Sequence, residues 1–449
     1  MVGPFGPLLL GPLKIESGGV DRSVMRRWRG RLPLLFVLVA ATFIPARSAF
    51  ADFTDVPTSY WDYTAITYVA QTHTWMQDYG TSLFKPTTDE NRELAARALV
   101  EAYAPTEPID PTITFPDLPT TDPFYPYANV AVKLGWIATK GGGAFDPLSE
   151  ISVQKFDKAI VSAMGSLADA VTGLSKIHQD DGTAYSVDGY FAYIQLAHWL
   201  GLHYNHDDES MDLNKKDHIH RDEVAYSLWV SETVPSWEID DAAAFDDISL
   251  PALDPSKNQN QKDKENVTAY ALDQMGYPYV WGGEWNKASP PGYCCGSQPI
   301  GGMDCSGFAW WVMKKNEGNY NAAQYHTAYS GWTLLERVSH DMAEATTSQV
   351  SYGNLRIGDL MFFASDGSGK ASNVDHVAIY LGNDWMIHSS GSSDGVAIEW
   401  VGAGSWYNDI FVFGRRLIGT KLDTPPHRVD VAAGDGPHAG GELGDPRSR

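Results

Sequence analysis

Between Phe53 and Val234 one pattern recurs three times, and this repetition limits the fold more than any other feature of the chain. The first copy reads Phe53-Thr54-Asp55-Val56, Tyr60-Trp61, Ala65-Ile66-Thr67-Tyr68-Val69, Phe84-Lys85-Pro86 and Asn91-Arg92-Glu93-Leu94-Ala95-Ala96. The second reads Phe115-Pro116-Asp117-Leu118, Tyr125-Pro126-Tyr127-Ala128, Phe145-Asp146-Pro147 and Ile151-Ser152-Val153-Gln154. A weaker third has Tyr190-Phe191-Ala192-Tyr193-Ile194, Leu213-Asn214 and Ile219-His220-Arg221-Asp222-Glu223-Val224-Ala225. A period of about 60–70 residues marks a structural unit in tandem. Ala65, Tyr68 and Val69 fall at helical spacing, as do Leu94, Ala95, Ala98 and Leu99, so each copy reads as helix, Gly/Pro turn, helix. One such pair cannot bury its own apolar stripe. Three can share a core, which predicts an all-α three-repeat module over residues 52–234.

These motifs resemble the S-layer homology module. The resemblance implies a helical prism whose second helices open on an arginine that helps bind anionic secondary cell-wall polymer. Arg92 and Arg221 occupy that position here, whereas the second repeat has Gln154, which cannot make a bidentate charge-assisted contact.

The net charge of −23 argues against nucleic acid or an anionic membrane as partner, since neither attracts a surface of its own sign. Three cysteines in 449 residues exclude a disulfide scaffold. Met25-Arg26-Arg27-Trp28-Arg29 followed by the apolar run Leu32 to Ile44 and by Ala49-Phe50-Ala51 reads as a secretory signal over 1–51, with Met25 the expected start. No later apolar run reaches the about 20 residues of a spanning helix. The polar, proline-punctuated stretch 235–263 reads as a linker. The Gly-, Asp- and Pro-rich end, 418–449, reads as disordered.

Residues 264–417 change in character. The helical pattern Val267-Thr268-Ala269-Tyr270-Ala271-Leu272 precedes short β-branched runs, Leu360-Met361-Phe362-Phe363, His376-Val377-Ala378-Ile379-Tyr380, Trp385-Met386-Ile387-His388 and Val396-Ala397-Ile398. This predicts an α+β domain with one antiparallel sheet. Between helix and strands, Gly301-Gly302 leads into Asp304-Cys305-Ser306-Gly307-Phe308 and the apolar run to Met313. That places Cys305 in the first turn of a buried helix, where unsatisfied N–H groups favour a thiolate. His376 is the candidate general base and His388 the group that orients it. Strand register decides whether the two histidines meet. A three-residue loop, Gly382 to Asp384, sets His388 opposite Ala378 and leaves His376 on the same face, within roughly 7–8 Å. A two-residue Gly382-Asn383 loop puts them on opposite faces. A working pair therefore predicts an odd loop or a bulge.

Tyr279-Val280-Trp281-Gly282-Gly283, Asp304-Cys305-Ser306-Gly307-Phe308, Gly358-Asp359-Leu360-Met361-Phe362-Phe363, His376-Val377-Ala378-Ile379-Tyr380-Leu381-Gly382 and Ile387-His388 resemble, in order, the NlpC family of papain-like cell-wall peptidases. The resemblance implies hydrolysis of peptidoglycan stem peptides, typically at the γ-D-glutamyl–diamino acid bond, by the triad Cys305, His376 and His388. Tyr279, Asp304 and Ser306 would line the substrate side. A departure is the insert carrying Cys294-Cys295. Adjacent cysteines pair only in a strained ring, so reduced or modified thiols, or a partner elsewhere, are expected. The rival readings are an anchoring protein that binds peptide without cutting it, and a thiol amidase or acyltransferase on another substrate. His203, His206, Asp207, Asp208, Asp212, Asp217, His218 and His220 lack fixed ligand spacing and read as a solvated charge run, so no metal is expected. No phosphate-binding glycine loop precedes a helix, so no nucleotide cofactor is expected.

Overall fold

The three repeats fold as three helix pairs. They comprise α1 (Tyr63–Ile66, continued by a π turn over Thr67–Thr72) with α2 (Arg92–Tyr103), α3 (Tyr125–Lys133) with α4 (Val153–Met164), and α5 (Phe191–Trp199) with α6 (Arg221–Thr233). The structure is a computed structural model and describes residues 53–420 apart from 78, 289–299, 315–333 and 335. The signal segment, the Cys294-Cys295 pair and residues 421–449 lie outside the described residues.

What joins the pairs is a closed ring of backbone hydrogen bonds. The Glu90 N–H donates to Ile219 O (2.8 Å), Ile219 N–H to Ile151 O (3.0 Å), and Ile151 N–H to Glu90 O (3.0 Å). A helix leaves its first N–H groups without internal partners, and here each second helix takes those partners from the next repeat. Arg92 and Glu93 donate to Ser149 and Pro147, Val153 and Gln154 to Asp217 and Lys215, and Arg221 and Asp222 to Thr88 and Pro86. No repeat is complete without its neighbour.

The signature arginines serve the same closure. Arg221 is fully buried; its Nε donates to Phe84 O (3.0 Å) and its Nη1 to Glu90 Oε2 (2.8 Å). Arg92, also buried, donates to Phe145 O and Ala138 O, each at 2.7 Å. Both guanidinium groups face inward and are engaged by the module, which gives Arg92 and Arg221 a structural part in closing the ring. Replacing Arg221 with Met removes the cation facing buried Glu90 and is expected to cost about 3–5 kcal/mol. Urea unfolding measures it, and a loss under about 1 kcal/mol contradicts the role given to Arg221.

The stretch 235–263, read from the sequence as a linker, is folded. It carries a short helix at Ser236–Asp241, and Ser249–Leu250 pairs in parallel with His178–Gln179. Phe245, Ile248 and Leu250 are buried, and Phe245 stacks on Trp385 with ring centroids 5.6 Å apart. Polar composition hid these three apolar anchors. Helix α7 (Gln259–Asp273) starts inside the expected linker, capped by Asn258, whose side chain accepts from Gln261 N–H. At the far end Ile418 is buried, so the packed chain continues past the expected limit at 417.

The second half is built on an antiparallel sheet of β1 (Gln349–Val350), β2 (Leu360–Phe363), β3 (His376–Gly382), β4 (Trp385–Ser390), β5 (Gly395–Trp400) and β6 (Phe411–Arg415), ordered β1-β6-β2-β3-β4-β5. Helix α8 (Cys305–Lys314) packs against β3 and β4. Phe308 to Met313 are all buried, as an apolar-all-round helix requires. Alternate strand residues point to two cores. Leu360, Val377, Ile379 and Ile387 join the one containing α8, while Met361, Phe363, Ala378 and Met386 join a smaller one under α9 (Trp406–Ile410).

The repeats and the sheet are not separate bodies on a tether; the described residues cluster as one compact unit. The Gln195 amide on α5 donates to Ile398 O (2.9 Å) and accepts from Ile398 N–H (2.7 Å), so it pairs with edge strand β5 as a further strand would. His198 Nδ1 lies 2.5 Å from Ser393 O, and Lys215 Nζ donates to Met275 O at 2.7 Å.

Candidate active site

Asp304 caps α8. Its Oδ1 accepts from Gly307 N–H (2.5 Å) and Ser306 Oγ (2.9 Å), and its Oδ2 from Gly282 N–H (3.1 Å). Gly307 is required by close approach, since a Cβ there would lie 2.0 Å from Gly283 O. Over this turn lies Arg337, fully buried. It donates to both Asp304 oxygens (3.1 and 3.2 Å), Glu284 Oε1 (3.0 Å), Ser306 Oγ (2.8 Å) and Gly283 O (2.8 Å). Burial works against its charge, but Asp304 and Glu284 outweigh that and hold the guanidinium above its ordinary value. Asp304 has both oxygens hydrogen-bonded within the chain, which makes it a positioning residue for the first turn of α8. Ser306, whose hydroxyl bridges Asp304 and Arg337, shares that role.

Cys305, at the first residue of α8, is buried. Its Sγ lies 4.0 Å from Asp375 O, and the Val377 N–H also faces the sulfur. These are the backbone groups on either side of His376, so the thiol meets β3 at the residue that carries the base. His376 Nε2 is 2.7 Å from His388 Nδ1. With His376 protonated on Nε2, that nitrogen donates to His388 and leaves Nδ1 as the acceptor. Tyr407 of α9 packs on both imidazoles, its ring centroid 6.0 Å from His376 and 5.2 Å from His388.

The register that brings the histidines together comes from a bulge. Ile379 pairs with Ile387 and Tyr380 with Met386, which sets Ala378 opposite His388. Gly382 then pairs with Trp385, leaving Leu381 as the extra residue. The loop itself has two residues, Asn383 and Asp384, both at positive φ (49° and 65°), as in a hairpin turn that follows the strand twist. Of the two routes compatible with a working pair, the chain takes the bulge, with the loop one residue later than the even-length alternative placed it.

Electrostatically the thiol departs from expectation. Burial, helped by the charge of Asp304, pushes Cys305 up to about 12, against the pull of the Val377 N–H, Arg337 and the Ser306 N–H. Burial pushes His376 down to about 3, with Asp304 opposing, and holds His388 well below its ordinary value, aided by His376. The resting pair is therefore neutral thiol and neutral imidazole; desolvation outweighs the helix terminus. Alkylation of Cys305 by iodoacetamide should rise about tenfold per pH unit from pH 7 to 9. Peptide mass analysis resolves Cys305 from the other two cysteines, and a rate already flat at pH 7 contradicts the neutral pair. Tyr279, half-buried, has its phenol held well above the ordinary range by burial and by the charge of Asp304, so it remains a donor beside the sulfur.

Other expected features resolve differently. His203 pairs with Asp157 (2.9 Å) and buried His206 with Glu223 (2.6 Å), so part of the supposed solvated run is interior. Arg337, Glu284 and Tyr407 were not anticipated. The only local signal for Glu284 is a carboxylate directly after Gly282-Gly283 in an aromatic frame.

A thiol at a helix start, set against a strand-borne histidine pair on an antiparallel sheet, defines a papain-like cysteine site. Residues 276–415 match the NlpC/P60 family, and this part of the chain belongs to it. The chain is 32% identical over 151 residues to the Bacillus subtilis protein named bifunctional muramidase/DL-endopeptidase CwlT, covering 34% of this chain and 36% of that one. It is 32% identical over 135 residues to peptidoglycan endopeptidase RipB of Mycobacterium tuberculosis, covering 30% and 46%. The solved RipB structure aligns at 30% identity over 36% of this chain and 69% of that one, with a TM-score of 0.26. The chain thus spans less than half the length of these two curated relatives.

Proposed function

We propose that this chain is a peptidoglycan endopeptidase that hydrolyses stem peptides by thiol chemistry. The observation that carries the reading is Cys305 at the start of α8, against the backbone flanking His376, with His388 2.7 Å behind. As the sulfur attacks the scissile carbonyl, the Cys305 proton passes to His376 Nδ1, and His388 holds the imidazolium. The Tyr279 hydroxyl and the Cys305 N–H are the candidate donors to the oxyanion. His376 then protonates the leaving amine, and water, deprotonated by the same imidazole, releases the acyl group. The γ-D-glutamyl–diamino acid bond is the proposed target, and the names of the relatives support the substrate class. Digesting purified sacculi with the protein and weighing the soluble products tests this. Fragments cut between the second and third stem residues are expected; intact stems, or loss of the whole stem from the glycan, would overturn it.

We also propose export by the N-terminal signal-like segment and retention at the wall by the repeats, on their likeness to S-layer homology modules. Contact with a secondary cell-wall polymer is proposed for the module as a whole, with Arg92 and Arg221 buried at its helix starts. Pelleting of the full chain with wall fragments, before and after chemical removal of the polymer, tests retention; equal pelleting would remove the polymer from the proposal.

A further inference from the structure

Two aromatic rings stand open to solvent beside the cleft, and one loop of the third repeat connects them. Tyr204, in the loop between α5 and α6, is 36% exposed, and Trp281, two residues after Tyr279, is 55% exposed. Trp61 stacks on Tyr204 with ring centroids 4.7 Å apart and planes 25° from parallel. His206 and Tyr226 each touch both members of that stack and lie at 72° to Tyr204, so they stand beside it. The exposed part of Tyr204 is therefore the face turned away from Trp61. Trp281 is fixed through its backbone: its N–H faces the Glu209 carboxylate, and the next N–H, of Gly282, donates to Asp304 Oδ2 (3.1 Å).

The loop that starts at Tyr204 reaches the cleft at two points. Glu209 meets the backbone of Trp281. Asn205 Nδ2 and the Tyr279 ring both close on Gly391, just after β4, at 2.9 and 3.7 Å from where a Cβ on that glycine would lie. The two open rings thus border the same wall as Tyr279, the donor beside Cys305. Charge narrows what they can hold. From Tyr204 to Asp212 the loop carries Asp207, Asp208, Glu209 and Asp212 and no lysine or arginine, within a chain of net charge −23. Asp207 and Asp208 are exposed, so an anionic polymer is repelled here. A neutral chain fits, provided it has an apolar face for the rings and O–H or N–H donors for the carboxylates.

We propose that Tyr204 and Trp281 form a saccharide subsite beside the cleft, which takes a neutral strand of β-1,4-linked N-acetylated amino sugars. The subsite rests on the proposed action on peptidoglycan, whose stem peptides hang from such a strand. The C–H face of one sugar stacks on the outer face of Tyr204 and that of another on the Trp281 indole, while hydroxyl and acetamido N–H groups donate to Asp207 and Asp208. Trp61 holds the Tyr204 ring in place before the sugar arrives, so little freedom is lost on binding. The third repeat thereby selects stems still joined to the glycan over stems already released.

The test uses the full chain and the tetramer of β-1,4-linked N-acetylglucosamine, which carries no peptide. Calorimetry is expected to give one tetramer per chain. Tyr204→Ala and Trp281→Ala should each weaken that binding about tenfold, and Tyr204→Phe, which keeps the ring, should leave it within about twofold. Both Ala variants should slow the release of fragments from sacculi about tenfold while cutting free stem peptides at the native rate. Trp281→Ala removes an exposed side chain, so it decides the matter whether or not Tyr204→Ala folds. No binding of the tetramer by the native chain would overturn the subsite, as would native affinity in Trp281→Ala or an equal loss on both peptide substrates. Tighter binding of carboxymethyl chitin or of choline, the anionic and cationic probes, would also overturn it. So would sedimentation showing a self-association that Tyr204→Ala abolishes while tetramer binding stays intact. Because the tetramer holds no peptide, its binding is read even where sacculi stay uncut, and the subsite and the enzymatic role fail separately.

Discussion

Cys305→Ala is expected to lower the release of stem-peptide fragments from sacculi by about a thousandfold or more, the scale on which removing a nucleophile acts. The sulfur is a small buried group whose contacts are the backbone groups flanking His376. Its loss leaves Asp304, Arg337 and the α8 cap in place, so circular dichroism and Tm should change little. His376→Ala is expected to fall nearly as far, because the neutral thiol at this site needs a base to take its proton. His388→Ala should lose less, since it removes the orienting partner and keeps the base. The order of the three losses is itself a check. Undiminished cleavage by Cys305→Ala would place the nucleophile elsewhere, and a His388 loss exceeding that of His376 would reverse their roles.

The parts of this site legible in the sequence are those whose physics is local. A glycine approach, a short polar cap and an apolar run specify a helix start, and Cys305 stands in its first turn. Alternation along β3 and β4, with the parity condition on their connection, restricts the histidine pair to two hairpin geometries. The sequence does not choose between them, because Leu381 as a bulge and Gly382 as a loop residue differ only in tertiary packing. Gly382 is in fact pressed against Pro251, within the stretch whose polar composition suggested a linker. Charge state fails for the same reason. The helix terminus favours a thiolate, but the desolvation that overrides it comes from segments distant in sequence. Arg92 and Arg221, which open the second helices of the first and third repeats, point inward, a fact set by which neighbouring loop each helix start meets. Arg337 carried no signal at all; nothing around it marks it as the partner of Asp304 and Glu284.

Arg337→Met is accordingly expected to cost about 3–5 kcal/mol of stability. The guanidinium is buried and joins the α8 cap to the Gly283-Glu284 segment through five hydrogen bonds, three of them to carboxylates. Met fills similar volume but leaves two interior acids without the cation that faces them, and it frees the turn that holds Cys305. Unfolding in urea should shift accordingly, and cleavage should fall with it even below the transition, because Asp304 no longer fixes the first turn of α8. Adding Glu284→Gln removes one of the two charges and should restore part of the stability, since the two sites share a contact and their effects are not additive. Rescue of stability without rescue of cleavage would assign Asp304 the positioning role directly. A single variant within about 1 kcal/mol of the native chain, still fully active, would mean the clamp is dispensable and the helix start is held by Gly307 and the Phe308–Met313 core alone.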